Sequence, residues 1–145
     1  MTGRFLRVGV CLVVVTSLAW GLYDPPWVDG MTQGLRPSDV DSSGVAFRWT
    51  SGHATFYVPR GATTMTLSWR VASSPPEGGL VAVRIDADDE RLAVLTLDRP
   101  GEWQRSTVTL PRTPTHRRTR RIDLRTRRTV GESNLGVQLA AIEWQ

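Results

Sequence analysis

The residue types that most often perform catalysis are scarce in this sequence. His53 and His116 are the only histidines, and Cys11 is the only cysteine. Neither histidine has a partner at a spacing typical of metal ligands, and no nucleophile motif surrounds Ser51 or Ser106. Carboxylate pairs that could serve a hydrolase occur in most domains, and no pattern singles one out here. We therefore predict a non-catalytic protein without a cofactor, and a small hydrolase is the least favoured alternative.

Four carboxylates gather within five residues: Asp86, Asp88, Asp89 and Glu90. Calcium prefers several hard oxygen ligands, which makes this segment a candidate calcium site. However, it lacks the twelve-residue alternation of ligands, with a glycine at the bend, that calcium loops use. We expect a solvated hairpin tip with Arg84 and Arg91 as counter-charges, and no metal.

The chain has a net charge of +4. It contains no lysine, so arginine supplies all the positively charged side chains. Residues 112–128 hold eight arginines against one acid, Asp123. In a strand, alternate residues share a face, so Arg121, Arg125 and Arg127 would form an outward row with Asp123. Such a row could bind the anionic groups of lipids or acidic polysaccharides. Alternatively, it is a solvated face whose arginines pair with acids on neighbouring strands.

Exposed aromatic rings are the other candidate binding groups, since the C–H face of a sugar stacks on a flat ring. Alternation places Tyr57 opposite Phe56, and Trp103 opposite Val108 and Leu110, so Tyr57 and Trp103 are the predicted glycan-binding residues. Packing at the edge of the sheet is the alternative for both. Six other residues are predicted to face the core: Phe47, Trp49, Phe56, Met65, Leu67 and Trp69.

A two-residue apolar period runs through most of the chain after residue 44. Its clearest example is 64–71, where apolar and polar residues alternate strictly. We predict eight strands, at 45–49, 54–58, 64–71, 80–86, 91–97, 103–110, 118–128 and 135–144. A turn at Ser51-Gly52 separates the first two, and a bulge near Ala140-Ala141 reconciles the two faces of the last. The pattern indicates an all-β fold, a single eight-stranded antiparallel β-sandwich or jelly roll.

The N-terminal segment, residues 1–23, carries an export signal. Arg4 and Arg7 precede an apolar run over 8–22, and positive charge before such a run is typical of export. Ser17-Leu18-Ala19 fits a cleavage site; without cleavage, a hydrophobic helix would remain as a membrane anchor. Residues 24–44, rich in Pro and Gly, are predicted to be a linker, and 45–145 the domain. Either fate places the domain outside the cytoplasm, at the membrane or secreted.

Several short motifs resemble those of one family. They are Arg48-Trp49-Thr50, the segment 54–59, Leu67-Ser68-Trp69-Arg70, Val83-Arg84-Ile85-Asp86, Trp103 ahead of 108–111, and Leu135-Gly136-Val137 with Ile142. Together they resemble galactose-binding-like, carbohydrate-binding-module-like jelly rolls, which occur in bacterial membrane glycosyltransferases and other cell-surface proteins. The resemblance covers residues 45–145. It implies a non-catalytic β-sandwich that binds glycan.

The predicted function is therefore an extracytoplasmic module that binds glycan or a protein partner in cell-surface polysaccharide handling. Two alternatives remain: a structural or assembly partner of a membrane protein with no small ligand, and a binder of anionic lipid or polymer through the arginine row. Nucleic acid is not expected as a partner, because the predicted location is outside the cytoplasm.

Overall fold

The computed structural model describes residues 11, 13–16, 28, 30–72, 80–112, 117–126 and 135–145. Eight strands make up most of this part. They are β1 (Thr32–Val40), β2 (Ala46–Pro59), β3 (Thr64–Arg70), β4 (Val81–Ala87), β5 (Glu90–Leu97), β6 (Gln104–Thr109), β7 (Thr119–Thr126) and β8 (Gln138–Trp144). All their pairings are antiparallel. The all-β class and the eight antiparallel strands are confirmed.

The strands follow the order β5-β4-β7-β2-β8-β3-β6, and β1 pairs with β2. The terminal strands β5 and β6 also approach each other, so the sheet curls into a nearly closed sandwich. The long strand β2 joins the two halves. Its residues 53–59 pair with β7, whereas Arg48 and Trp49 pair with β8.

The predicted export segment lies mostly outside the described residues. Cys11 and residues 13–16 are helical. Within the described part of the chain, no helix is long and apolar enough to cross a membrane. His116 and Arg127 also lie outside the described residues, as do residues 73–79.

The two N-terminal strand assignments need correction. No turn interrupts the chain at Ser51-Gly52, because β2 runs through both residues and merges the two predicted strands. The eighth strand is instead β1, which lies inside the segment predicted to be a linker. Gly34 and Pro37 gave that segment the composition of a loop, and in the structure they fall where the β1 register shifts against β2. Glycine and proline are found in strands at such irregular edge positions.

The core occupies the space between the two halves of the sheet. Apolar side chains that alternate along β3, namely Met65, Leu67 and Trp69, are fully buried there, as predicted. The bulge predicted in the last strand is confirmed: Ser68 pairs with Ala141 and Trp69 with Leu139, so Ala140 is the extra residue. Leu139 and Ile142 therefore both pack against the core.

Phe47 and Trp49 do not join this core, contrary to the prediction. Because β2 is continuous, alternation puts them on the face opposite Ala54, Phe56 and Val58. Phe47 is buried, but in a separate cluster: its ring centroid lies 6.2 Å from that of Trp49 and 6.1 Å from that of Trp103. A turn at Ser51-Gly52 would have allowed both sets of residues to face inward.

Gly136 closes the point where β7 and β8 diverge along β2. Its N–H donates to the Thr50 carbonyl at 2.7 Å. A Cβ here would lie 2.5 Å from Thr50 Oγ1 and 2.7 Å from Thr126 Cγ2. The site therefore has no room for a side chain.

We predict that Gly136→Ala lowers the free energy of unfolding by about 1–3 kcal/mol, the usual cost of overpacking. Chemical denaturation of the two proteins measures the difference. Gly61→Ala is the matched control, because a Cβ at Gly61 meets nothing within 4 Å. An equal effect of the two substitutions would show that crowding at Gly136 is relieved by movement of β8.

Candidate functional site

The outward side chains of β2, β7 and β4 form a continuous charged surface, which we call the polar face. Its members are His53, Thr55, Tyr57, Arg84, Asp86, Arg121, Asp123 and Arg125. Strand register sets them in three rows across the sheet. One row joins His53, Arg125 and Arg84; a second joins Thr55, Asp123 and Asp86; the third joins Tyr57 and Arg121.

Two carboxylates lie at the centre of the polar face and are almost inaccessible to water. The side chains of Asp86 and Asp123 are each 3% exposed, and the two residues are direct partners across β4 and β7. Like charges this close destabilise a sheet unless cations surround them. The arginines around them supply that compensation, so the two carboxylates and the arginines form a network of ion pairs.

Asp123 accepts hydrogen bonds on both of its oxygens. Thr55 Oγ1 donates to Oδ1 at 2.6 Å, His53 Nε2 lies 3.0 Å from the same oxygen, and Arg121 Nε donates to Oδ2 at 2.9 Å. Burial alone would raise the pKa of Asp123, but these partners outweigh it and hold the pKa below the usual value for an aspartate. The carboxylate therefore stays charged and orients three neighbouring side chains.

Asp86 is flanked by two arginines. Arg84 Nε donates to Asp86 Oδ1 at 2.6 Å, and Arg125 Nε lies 3.6 Å from Asp86 Oδ2. Arg84 and Arg125 are themselves partners across β4 and β7. The arrangement puts two guanidinium charges around one carboxylate.

The acidic segment after β4 does not converge on a metal site. Asp88 and Asp89 form the two-residue turn of the β4–β5 hairpin, with φ values of 48° and 71°, which favour such turns. Asp88 pairs with Arg60 at 2.8 Å and Asp89 pairs with Arg121, whereas Asp86 points to the polar face. Among the described residues, no group of three or more His, Cys, Asp or Glu side chains could hold a metal ion. The calcium candidates Asp86, Asp88 and Asp89 are thus kept apart by the turn and by their arginine partners, and the fourth candidate, Glu90, begins β5 after the turn.

The predicted anion-binding arginines have different roles. Arg121, Asp123 and Arg125 share a face, as alternation predicted. Arg121 is held by Asp123 and Asp89, and these carboxylates outweigh the effect of burial and raise its pKa. Arg125 has the weaker contact and is 52% exposed. Arg84, which we expected only as a counter-charge, joins it.

Arg120 faces the other way. It alternates with Arg121, shares the inner face with Ile122 and Leu124, and is 1% exposed. Its Nη2 donates to the Pro111 carbonyl, and burial lowers its pKa. The sequence pattern did not indicate that Arg120 is buried, because an arginine at an inner position of β7 reads as a polar, outward residue.

The two predicted glycan-binding aromatics lie on different halves of the sandwich. Tyr57 is half-buried on the polar face beside Arg121. Trp103 precedes β6 and is held by the loop after β1: its Nε1 donates to Asp41 Oδ2 at 3.0 Å, and the Arg70 guanidinium lies 4.4 Å from its ring centroid. One face of the indole is thus covered by Arg70. The structure groups Tyr57, but not Trp103, with the anion-binding candidates.

Asp41 fixes the loop that holds Trp103. Its Oδ1 accepts from the backbone N–H groups of Ser43 and Val45, at 2.9 and 3.0 Å. These bonds, chiefly that from Val45, and the bond from Trp103 lower the pKa of Asp41. Arg70 adds an ion pair at 3.1 Å to Oδ2. This cluster stabilises the fold.

Among the described residues, the polar face contains a His–Asp pair but no nucleophile within its reach. In catalytic triads, the histidine ring also contacts a hydroxyl or thiol. The Ser51 hydroxyl instead donates to the His53 carbonyl at 2.6 Å, with the Gly34 carbonyl oxygen 3.2 Å away, and the Ser106 hydroxyl accepts from Trp69 Nε1. Thr55 donates to the carboxylate itself. The described residues therefore do not assemble a catalytic triad on the polar face.

An apolar groove of about 260 Å³ lies elsewhere on the surface, between β1, β2 and β8. Its charged member, Arg48, donates to the backbone carbonyls of Leu35 and Arg36. The groove therefore offers little polar chemistry for orienting a sugar.

Comparisons with known proteins agree with the fold. The structure of a family 35 carbohydrate-binding module from an environmental isolate superposes with a TM-score of 0.51 at 15% identity, covering 77% of this chain and 86% of that one. A family two carbohydrate esterase from Clostridium thermocellum, in complex with cellohexaose, gives a TM-score of 0.51 at 10% identity; it covers 79% of this chain, which spans 31% of the esterase. No protein-family model matches the sequence, and the search of curated proteins found no match.

The chain therefore has the galactose-binding-like, jelly-roll β-sandwich fold found in carbohydrate-binding modules. This confirms the fold that the resemblance of the sequence motifs implied.

Proposed function

We propose that this protein is a non-catalytic glycan-binding module that works outside the cytoplasm in cell-surface polysaccharide handling, tethered or released by its N-terminal segment. The observation that carries the proposal is the polar face. There, a partly exposed aromatic ring, Tyr57, lies beside hydrogen-bonding groups already fixed by two buried carboxylates. Sugar recognition combines ring stacking with a few oriented polar groups.

Preorganisation is what distinguishes this surface from a solvated charged face. A flexible arginine loses side-chain entropy when it binds a ligand, and fixing it beforehand reduces that cost. Arg121 is held at two points, by Asp123 and Asp89, and His53 is held by Asp123. Arg121 presents further donor atoms beside the Tyr57 ring, and His53 presents a polar ring atom further along the same strand.

The extracytoplasmic location rests on the sequence. Arg4 and Arg7 ahead of the apolar run at 8–22 are typical of exported chains. The chain also lacks cysteine after Cys11, so the domain needs neither an oxidant nor a reductant to fold.

A glycan array probed with the full chain tests the proposal. We expect Tyr57→Ala to weaken binding to the best glycan about tenfold, since a stacking ring contributes about 0.5–1.5 kcal/mol beyond the area it buries. Titration calorimetry measures the change. Tyr57→Phe is the matched control, because it keeps the ring and should bind within about twofold of the original protein.

If Tyr57→Ala binds the glycan with unchanged affinity, the glycan site lies elsewhere on the protein. A chain that binds no glycan on the array would contradict the proposal and favour a structural or assembly role.

A further inference from the structure

Arg84 and Arg125 differ from Arg121, the third arginine of the polar face, in the number of their carboxylate partners. Arg121 has two carboxylate partners, Asp123 and Asp89. Arg84 and Arg125 share a single one, Asp86. Two cations thus share one buried anion here, whereas Arg121 alone contacts two carboxylates.

The contacts with Asp86 also orient both guanidinium groups. Asp86 faces the Nε atom of each arginine, at 2.6 Å for Arg84 and 3.6 Å for Arg125. Neither arginine uses its terminal Nη atoms on another described residue. With side chains 38% and 52% exposed, both offer these N–H groups to solvent.

We infer that Arg84 and Arg125 form a two-guanidinium clamp for the carboxylate of an acidic polysaccharide; the inference rests on the proposed glycan-binding function and names its ligand class. A planar guanidinium presents parallel N–H donors that match a carboxylate. The two residues are direct strand partners, so their Cα atoms lie about 4.5–5.5 Å apart. One anionic group can therefore contact both.

The neighbours of the clamp suit a sugar. His53 continues the same row on one side and Val94 on the other, and Val94 is 54% exposed. Val94 offers an apolar surface to the C–H groups of a ring, and His53 offers a polar atom. Such mixed surroundings fit an acidic sugar better than a bare phosphate ion.

Tyr57 lies four residues from His53 along β2, about 13 Å away. A single sugar unit that occupies the clamp cannot also stack on Tyr57. A chain of several units reaches both, so binding by clamp and ring together requires an oligosaccharide.

The probe for the test is polygalacturonate, with its fully methyl-esterified form as the uncharged counterpart of the same backbone. Affinity electrophoresis or calorimetry of the full chain should show binding to the acid and about tenfold or weaker binding to the ester. The double variant Arg84→Gln/Arg125→Gln should lose about tenfold or more in affinity for the acid. Tetragalacturonate should bind more tightly than the monomer.

Arg105→Gln is the matched control. It removes one exposed arginine, paired with Glu143, from the opposite half of the sandwich. Affinity should change by less than about twofold, since distant surface charges are screened. Equal losses in this control and in the clamp variants would mean diffuse attraction and would overturn the clamp.

The double variant leaves Asp86 without a cation, so its melting temperature is measured alongside. Should it unfold, Arg125→Gln alone and the charge-balanced pair Arg84→Gln/Asp86→Asn replace it, and either should still lose affinity for the acid. Retained affinity in folded variants would overturn the inference.

The remaining outcomes separate this inference from the proposed function. Equal binding of acid and ester, lost in Tyr57→Ala, would overturn the clamp and leave glycan binding intact. Binding to phosphatidylglycerol vesicles but to neither polymer would overturn it in favour of a lipid surface. Displacement of polygalacturonate by millimolar inorganic phosphate, but not by acetate, would assign the clamp to phosphate and overturn the carboxylate.

Discussion

Replacing Trp69 by alanine should lower the free energy of unfolding by about 3–5 kcal/mol, the usual cost of removing a large core side chain. Trp69 is fully buried on β3, between β6 and β8, and its Nε1 donates to Ser106 Oγ at 3.2 Å. The substitution leaves a cavity at the centre of the core. Urea denaturation followed by circular dichroism measures the change.

Trp144→Ala is the matched control, because Trp144 is 46% exposed near the end of β8. It should cost less than about 1 kcal/mol, since water already reaches the ring. A loss below 1 kcal/mol for Trp69→Ala would mean that the core rearranges to fill the space.

The second large effect concerns the buried carboxylate of the polar face. Asp123→Ala should destabilise the protein by about 2–3 kcal/mol at neutral pH, because Thr55, His53 and Arg121 lose their common acceptor. Thr55 is buried and has no water to replace it, whereas the half-exposed His53 and Arg121 are partly compensated by solvent. The estimate is therefore smaller than for a fully buried ion pair.

The same substitution should change the response to acid. The pKa of Asp123 is lower in the folded protein than in the unfolded chain. Its contribution is thus fully present above the unfolded pKa and is lost as pH falls through the folded pKa, from about pH 5 downward. Unfolding measured at pH 7, 5, 4 and 3 should show a steeper loss for the original protein than for Asp123→Ala.

Asp98→Ala is the control for this experiment, since Asp98 is 63% exposed and its oxygen lies 3.8 Å from Arg99. Its profile should follow that of the original protein. Parallel profiles for Asp123→Ala and the original protein would show that the carboxylate gains little from its partners.

Alternation predicted the strands that have one wet and one dry face. In β3, Met65, Leu67 and Trp69 left no ambiguity about which side faces the core. The same reasoning failed in β2, because Ser51-Gly52 has the composition of a turn and each half alternates well by itself. Because β2 is continuous, Phe47 and Trp49 lie on the face opposite Phe56. The sequence does not show this continuity, which depends on the pairings of β2 with β1, β7 and β8.

The polar face was predictable in part. Period two placed Arg121, Asp123 and Arg125 together, and Tyr57 outward on its own strand. Register between strands brings Tyr57 next to Arg121 and Arg84 next to Arg125. Since a single sequence contains no register, the role of Asp86 as a buried partner of two arginines could not be foreseen. Arg84 was therefore assigned only a local counter-charge role.

The position of β2 between strands from the second half of the chain has a consequence for biosynthesis. Thr50 bonds to Val137, 87 residues later, and Thr55 to Asp123, 68 residues later. A nascent chain that has not yet supplied β7 and β8 leaves one edge of β2 unpaired and cannot close the core. Contacts so distant in sequence form slowly. The domain is therefore expected to remain unfolded until β7 and β8 have emerged from the ribosome. An unfolded chain is also the state in which the export proposed above would take place.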